Sequence, residues 1–160
     1  MKNNPKTSTY RLCVLLSLLA LCSCEPDTAV DVALDGKVPP TFSFSGPWWA
    51  RDFQILEVPP KSVNKNGQNT EQVKKIWLVT LGNDNGRRAK DWPRITYGSI
   101  PEGFIQQIPN VGTSPPQLIE GKIYVAQALD NALNGGACYF VIRNGKSVTV
   151  SPSEVLQEQR

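Results

Sequence analysis

The amino-acid sequence predicts an all-β fold: a single antiparallel β-sandwich of the immunoglobulin/fibronectin kind, with a small β-barrel as the runner-up. Three observations predict it. Short apolar runs, some with a two-residue period, recur between residues 41 and 150. Turn-forming Pro, Gly and Asn residues separate them. Nothing past residue 24 carries the sustained apolar spacing of a long helix. The 160 residues are 40% hydrophobic and 19% charged, which places the chain among globular rather than disordered sequences.

Taken in order, Thr41–Ser45 (TFSFS) alternates, so Phe42 and Phe44 share one face of a strand. Asp52–Val58 (DFQILEV) follows, and Pro59-Pro60 stops it. Lys61–Glu71 reads as a polar loop. Lys75–Leu81 (KIWLVTL) is apolar enough to be covered on both faces, as a central strand requires. Asn83–Asp91 is a second polar loop, and Arg94–Tyr97 starts a short strand. Ile100-Pro101-Glu102-Gly103 has Pro and Gly where a type I turn accepts them. Phe104–Ile108 and Lys122–Ala128 are the next strands.

The clearest local signal lies near the end. Ala137–Arg143 and Lys146–Val150 flank Asn144-Gly145, the dipeptide of a two-residue type I′ hairpin. That turn sets Val141 opposite Val148 and Tyr139 opposite Val150. The Val-rich face is expected in the core, with Cys138, Phe140 and Ile142 on the other face. Ser151-Pro152-Ser153-Glu154 has the form of a capping box with Pro at the first helical position, which predicts a C-terminal helical turn.

The N-terminus is of another kind. Met1–Arg11 is polar and basic, and Leu12–Leu21 is a ten-residue apolar run. As a helix that run covers about 15 Å, half of a hydrocarbon core of roughly 30 Å, so it is too short to span and has the layout of a secretory signal peptide. Leu21-Cys22-Ser23-Cys24 then resembles a bacterial lipobox, with Leu at −3, a small residue at −1 and Cys at +1. The resemblance implies cleavage after Ser23, a diacylglycerol thioether on Cys24 and acylation of its amine. Glu25 at the following position implies the outer membrane. Acyl chains at about 0.8 kcal/mol per buried CH₂ anchor a protein without any spanning helix.

The stretches Ile95–Gly98, Pro101–Pro109 and Phe140–Lys146 (FVIRNGK) also resemble those of small bacterial lipoproteins with no assigned activity. This implies an envelope setting and no particular chemistry. The organisation expected is a signal peptide over 1–23, a lipidated N-terminus and tether over 24–40, a sandwich over 41–150 and a tail over 151–160. Fully extended, the tether reaches at most about 50 Å.

Charge follows from this division. Lys2, Lys6 and Arg11 are the only charges before Glu25, so of 17 basic and 14 acidic side chains 14 of each remain beyond them. A neutral mature chain lacks the basic field that holds nucleic acid, so none is expected as a partner. The sequence has no histidine, which removes the usual base near neutral pH and the commonest zinc ligand; no metal or other cofactor is expected. Of four cysteines, Cys13 and Cys22 leave with the signal peptide and Cys24 takes the lipid. Cys138 remains, expected as a small hydrophobe on a strand, and no internal disulfide is expected.

Two catalytic motifs fail on context. Ser62-Val63-Asn64-Lys65 matches S-x-x-K, but it follows two prolines in an Asn-rich loop and lacks its partner motifs. Leu81–Trp92 has Leu and Trp where a calcium loop needs Asp and Glu. Two aromatic features carry more. Trp48 and Trp49 are adjacent before a strand, so both cannot face the core. Arg87, Arg88 and Trp92 combine a basic loop with an aromatic ring, as a platform for a sugar or a headgroup does. The plainer reading makes one tryptophan the seal of the sandwich and the loop a solvated edge. The function expected is a lipid-anchored, non-enzymatic binding or scaffolding module, held to the membrane by Cys24 and engaging an envelope protein or a glycan. The alternative is a small hydrolase using Asp and Glu.

Overall fold

The computed structural model describes residues 31–59, 73–83, 86–132 and 135–158. The signal peptide, Cys24, Glu25, the loop with Ser62 and Lys65, part of the 83–91 loop and the last two residues of the tail lie outside them. Eleven strands are described: β1 (Asp31–Leu34), β2 (Thr41–Ser45), β3 (Trp49–Ala50), β4 (Asp52–Val58), β5 (Lys74–Leu81), β6 (Arg87–Arg88), β7 (Ile95–Thr96), β8 (Phe104–Ile108), β9 (Ile123–Leu129), β10 (Gly135–Arg143) and β11 (Lys146–Thr149). One helix, α1 (Pro152–Glu158), ends the described chain, and a 3₁₀ turn spans Ala89–Asp91.

All strand ladders are antiparallel. The larger sheet runs β11-β10-β9-β4-β5-β8, the smaller β1-β2-β7, and β3 and β6 form a separate ribbon. Neither sheet closes on itself, so the chain is all-β and sandwich-like and not a barrel.

Register explains which side chains meet. Across the larger sheet Phe140 opposes Tyr124, Phe53 opposes Ala128 and Val79, and Ile55 opposes Ala126 and Trp77. Val79 in turn opposes Gln106, and Leu81 opposes Phe104. Opposed residues of an antiparallel pair share a face. This face is therefore continuous, and it meets Phe42, Phe44, Ile95 and Tyr97 from the smaller sheet and its connections. The core is aromatic: Phe53 contacts Phe42, Phe44 and Trp77 at ring-centroid distances of 5.1, 5.2 and 6.0 Å. Such tilted and edge-on pairs add to the area they bury.

The outer face is also closed near its β11 end. Ile123, Val141, Val150 and Val155 form a second cluster there under α1. This corrects the expectation for the hairpin. Its pairing is as read, with Val141 opposite Val148 and both turn residues at positive φ (Asn144 53°, Gly145 68°). Yet Phe140 and Ile142 take the main core, while Val141 and Val150 take the smaller one and Val148 is exposed. The larger ring sits where the thicker layer lies.

Two further expectations shift. Residues 31–34 of the expected tether form β1, because Val32 and Leu34 pack on the core and pair with Phe44 and Phe42. The Pro101 turn moves by one residue: Phe104 N–H donates to Pro101 O at 3.1 Å, and Gly103 has φ 82°. That is a type II turn, which needs a residue free to adopt positive φ at its third position. Cys138 is buried on β10, and burial raises its thiol above the usual range.

Candidate functional site

The β3–β6 ribbon closes one end of the sandwich. Trp49 opposes Arg88 and Ala50 opposes Arg87, so the ribbon presents Trp49 and Arg88 on one face and Ala50 and Arg87 on the other. Ala50 is buried, which turns its own face inward and leaves Trp49 54% exposed. Trp48 points the other way, packs against the core and donates from Nε1 to Asp130 Oδ2 at 3.2 Å. Adjacent tryptophans thus divide as strand alternation demands: Trp48 is a strut and Trp49 is presented to solvent.

Backbone bonds hold the ribbon in place. Ala89 N–H donates to Trp48 O at 2.9 Å, Leu81 N–H to Arg51 O at 3.0 Å, and Arg51 N–H to Leu129 O at 2.8 Å. Gly86 enters β6 at φ 64°, and a Cβ there would come within 3.2 Å of Ala50 O. Glycine is what lets the two chains approach this closely.

Below the ribbon the 3₁₀ turn leads into Trp92. Its ring is 7% exposed and lies edge-on to Phe44 at 5.1 Å and Phe104 at 5.2 Å. Trp92 is therefore a core residue and not the open platform the sequence suggested. Its indole N–H is buried and makes no hydrogen bond among the described residues.

Beside Trp92 lies an open cleft of about 590 Å³, lined by Arg87, Lys90, Asp91, Trp92, Pro93, Glu102 and Gly103. That volume is within the ordinary range for small-molecule sites. Arg87, Arg88, Lys90 and Arg94 are all exposed, and none makes an ion pair within 4.0 Å among the described residues. Asp91 and Glu102, also exposed, add two carboxylates to the same cleft.

The structure thus brings Trp48, Trp49, Arg87, Arg88 and Trp92 to one end, with Trp49 and Arg88 outward, Arg87 and Trp92 on the cleft, and Trp48 inside. Glu102 and Gly103 carry only a turn signal in the sequence. They arrive from the next strand because Gly82 N–H donates to Gly103 O at 2.8 Å. The Pro-Glu-Gly turn was visible in the sequence, but its partner across the chain was not. Among the described residues no group of three or more His, Cys, Asp or Glu side chains is placed to hold a metal ion, and no helix is long and apolar enough to cross a membrane. Compared with protein-family models, curated proteins and solved structures, the chain matches none.

Proposed function

We propose that this chain is a lipid-anchored binding module of the cell envelope, with the β3–β6 ribbon as its contact surface. The observation that carries the reading is Trp49, a large ring held half in solvent opposite Arg88 on a ribbon whose backbone is bonded to the core. Rigid aromatic and arginine side chains are the residue types that most often dominate binding surfaces. Cys24 supplies the anchor by the lipobox resemblance. Because β1 starts at Asp31, the seven residues from Cys24 reach at most about 25 Å, which keeps the sandwich near the bilayer surface.

Two measurements test this. Cys24→Ser should move the protein from the membrane fraction to the soluble one, and unchanged partition defeats the anchor. In crosslinking from native envelopes, Trp49→Ala should lose the partner that the wild-type chain captures, with no change in unfolding midpoint. Undiminished capture by Trp49→Ala defeats the surface.

One observation favours a second reading, a small hydrolase acting on envelope glycans. Asp91 and Glu102 share one cleft, and paired carboxylates are what glycoside hydrolysis uses. Release of reducing ends from isolated envelope glycan, lost in both Asp91→Asn and Glu102→Gln, is the expected sign. No release by the wild-type chain removes this reading.

A further inference from the structure

We infer that the cleft beside Trp92 binds a saccharide. The inference deepens the proposed binding function and rests on it, but it concerns a different surface from Trp49. Two observations converge. The first is the lining, in which Arg87 and Lys90 are balanced by Asp91 and Glu102 over a floor of Trp92 and Pro93. A phosphate or a polyanion is best held by cations alone, and two carboxylates in the same cleft oppose it. A sugar has hydroxyls that donate and accept and ring faces that are apolar. It matches a lining that offers donors and acceptors together with the exposed ring of Pro93 and the small accessible part of Trp92.

The second observation is the indole N–H of Trp92. Among the described residues it has no partner, on a buried side chain that is itself 7% exposed and lines the cleft. Buried donors are nearly always paired, and this one has almost no accessible surface in the free chain, so a saccharide hydroxyl pairs with it only when the ring tilts toward the cleft. Phe104 and Phe44 pack edge-on against the ring from the core side.

The test uses the purified full chain and the indole N–H resonances of its tryptophans, with Trp92 assigned through Trp92→Phe. The probes are chitotetraose, maltotetraose, trigalacturonate and inorganic phosphate, each at millimolar concentration. At least one oligosaccharide should shift the Trp92 resonance, and Arg87→Ala should weaken that binding by about tenfold. Glu102→Gln should weaken it too, because it removes an acceptor. In an anion site the same change would tighten binding, since it removes a repelling charge. Three results overturn the inference: no oligosaccharide moves the resonance, phosphate alone moves it, or Glu102→Gln strengthens binding. None of these touches the Trp49-dependent capture that tests the binding module itself, so the two readings fail separately.

Discussion

Trp77 and Trp92 are both buried tryptophans on the same core, both packed edge-on against phenylalanine rings, yet their polar ends differ. Trp77 donates from Nε1 to Gln106 Oε1 at 3.2 Å. Gln106, 3% exposed, spends its amide nitrogen on Pro109 O, Asn110 O and Thr113 O at 2.9, 3.3 and 2.7 Å. Nearby, Tyr97 donates to Pro116 O at 2.7 Å and Tyr124 accepts from Ile119 N–H at 2.9 Å. Burial raises both phenols above their usual range, so these hydroxyls stay protonated and bonded. Each of these polar groups has its partner, and together they tie the 109–121 segment to the sheet, although Tyr97 and Pro116 also line a second cleft of about 370 Å³. At the other end Trp92 keeps its N–H unspent beside an open cleft. The difference separates a polar network that builds the fold from a buried donor with no partner among the described residues.

The contrast can be broken in order of effect. Trp77→Ala removes the largest fully buried ring and should cost about 3–5 kcal/mol in denaturant unfolding. A loss near zero would mean the ring is not part of a packed core. Gln106→Leu keeps the volume but strands the Trp77 N–H and three carbonyls, so about 3 kcal/mol should go, with faster amide exchange in the 109–113 turn. Unchanged exchange there would show that the glutamine does not hold the segment. The sharpest comparison is Trp77→Phe against Trp92→Phe. Both lose the same ring area, but only the first leaves a buried acceptor unpaired, so it should be worse by about 1–3 kcal/mol. Equal costs would show that the indole N–H of Trp92 has a partner after all.

The two ends were also unequally legible in the sequence. Asn144-Gly145 announced its hairpin because only that turn needs two residues at positive φ, and the register then followed without ambiguity. Phe42 and Phe44 announced β2 by simple alternation. What sequence could not show was depth. Phe140 and Val141 are neighbours on one strand, both apolar and both buried, and which of them meets the thicker layer depends on β1 and β2, far upstream in the chain, and on α1, which follows the hairpin. β1 itself was hidden because Asp31-Val32-Ala33-Leu34 is too short and too polar on one side to stand out from a tether. At the candidate site the basic run and Trp49 were visible, whereas the joining of Glu102 to Arg87 depends on the long-range pairing of β5 with β8, which the Gly82–Gly103 bond extends. Gln106 carried no signal, since a buried glutamine looks like any other until its partners are placed.

The smallest expected effect extends the same contrast to carboxylates. Glu154 closes the capping box at the start of α1: its Oε2 accepts from Ser151 N–H at 2.6 Å, and Ser151 Oγ accepts from Glu154 N–H at 3.2 Å. Glu102, exposed on the cleft, makes no hydrogen bond among the described residues. The backbone bond from Ser151, followed by its side-chain bond, lowers the Glu154 carboxyl below its ordinary value of 4.5. A group with a depressed folded value stabilises the fold fully above the unfolded value and loses that contribution as pH falls through the folded one. Protection of the α1 amides should therefore hold at neutral pH and decline from about pH 4.5 downward, and Glu154→Gln should abolish that decline. Ser151→Ala should cost about 1 kcal/mol at neutral pH, whereas Glu102→Gln should leave stability at neutral pH unchanged. If Glu102→Gln altered stability as much as Ser151→Ala does, the cleft carboxylate would belong to the fold, and the contrast between a bonded and an unbonded carboxylate would fail at this residue.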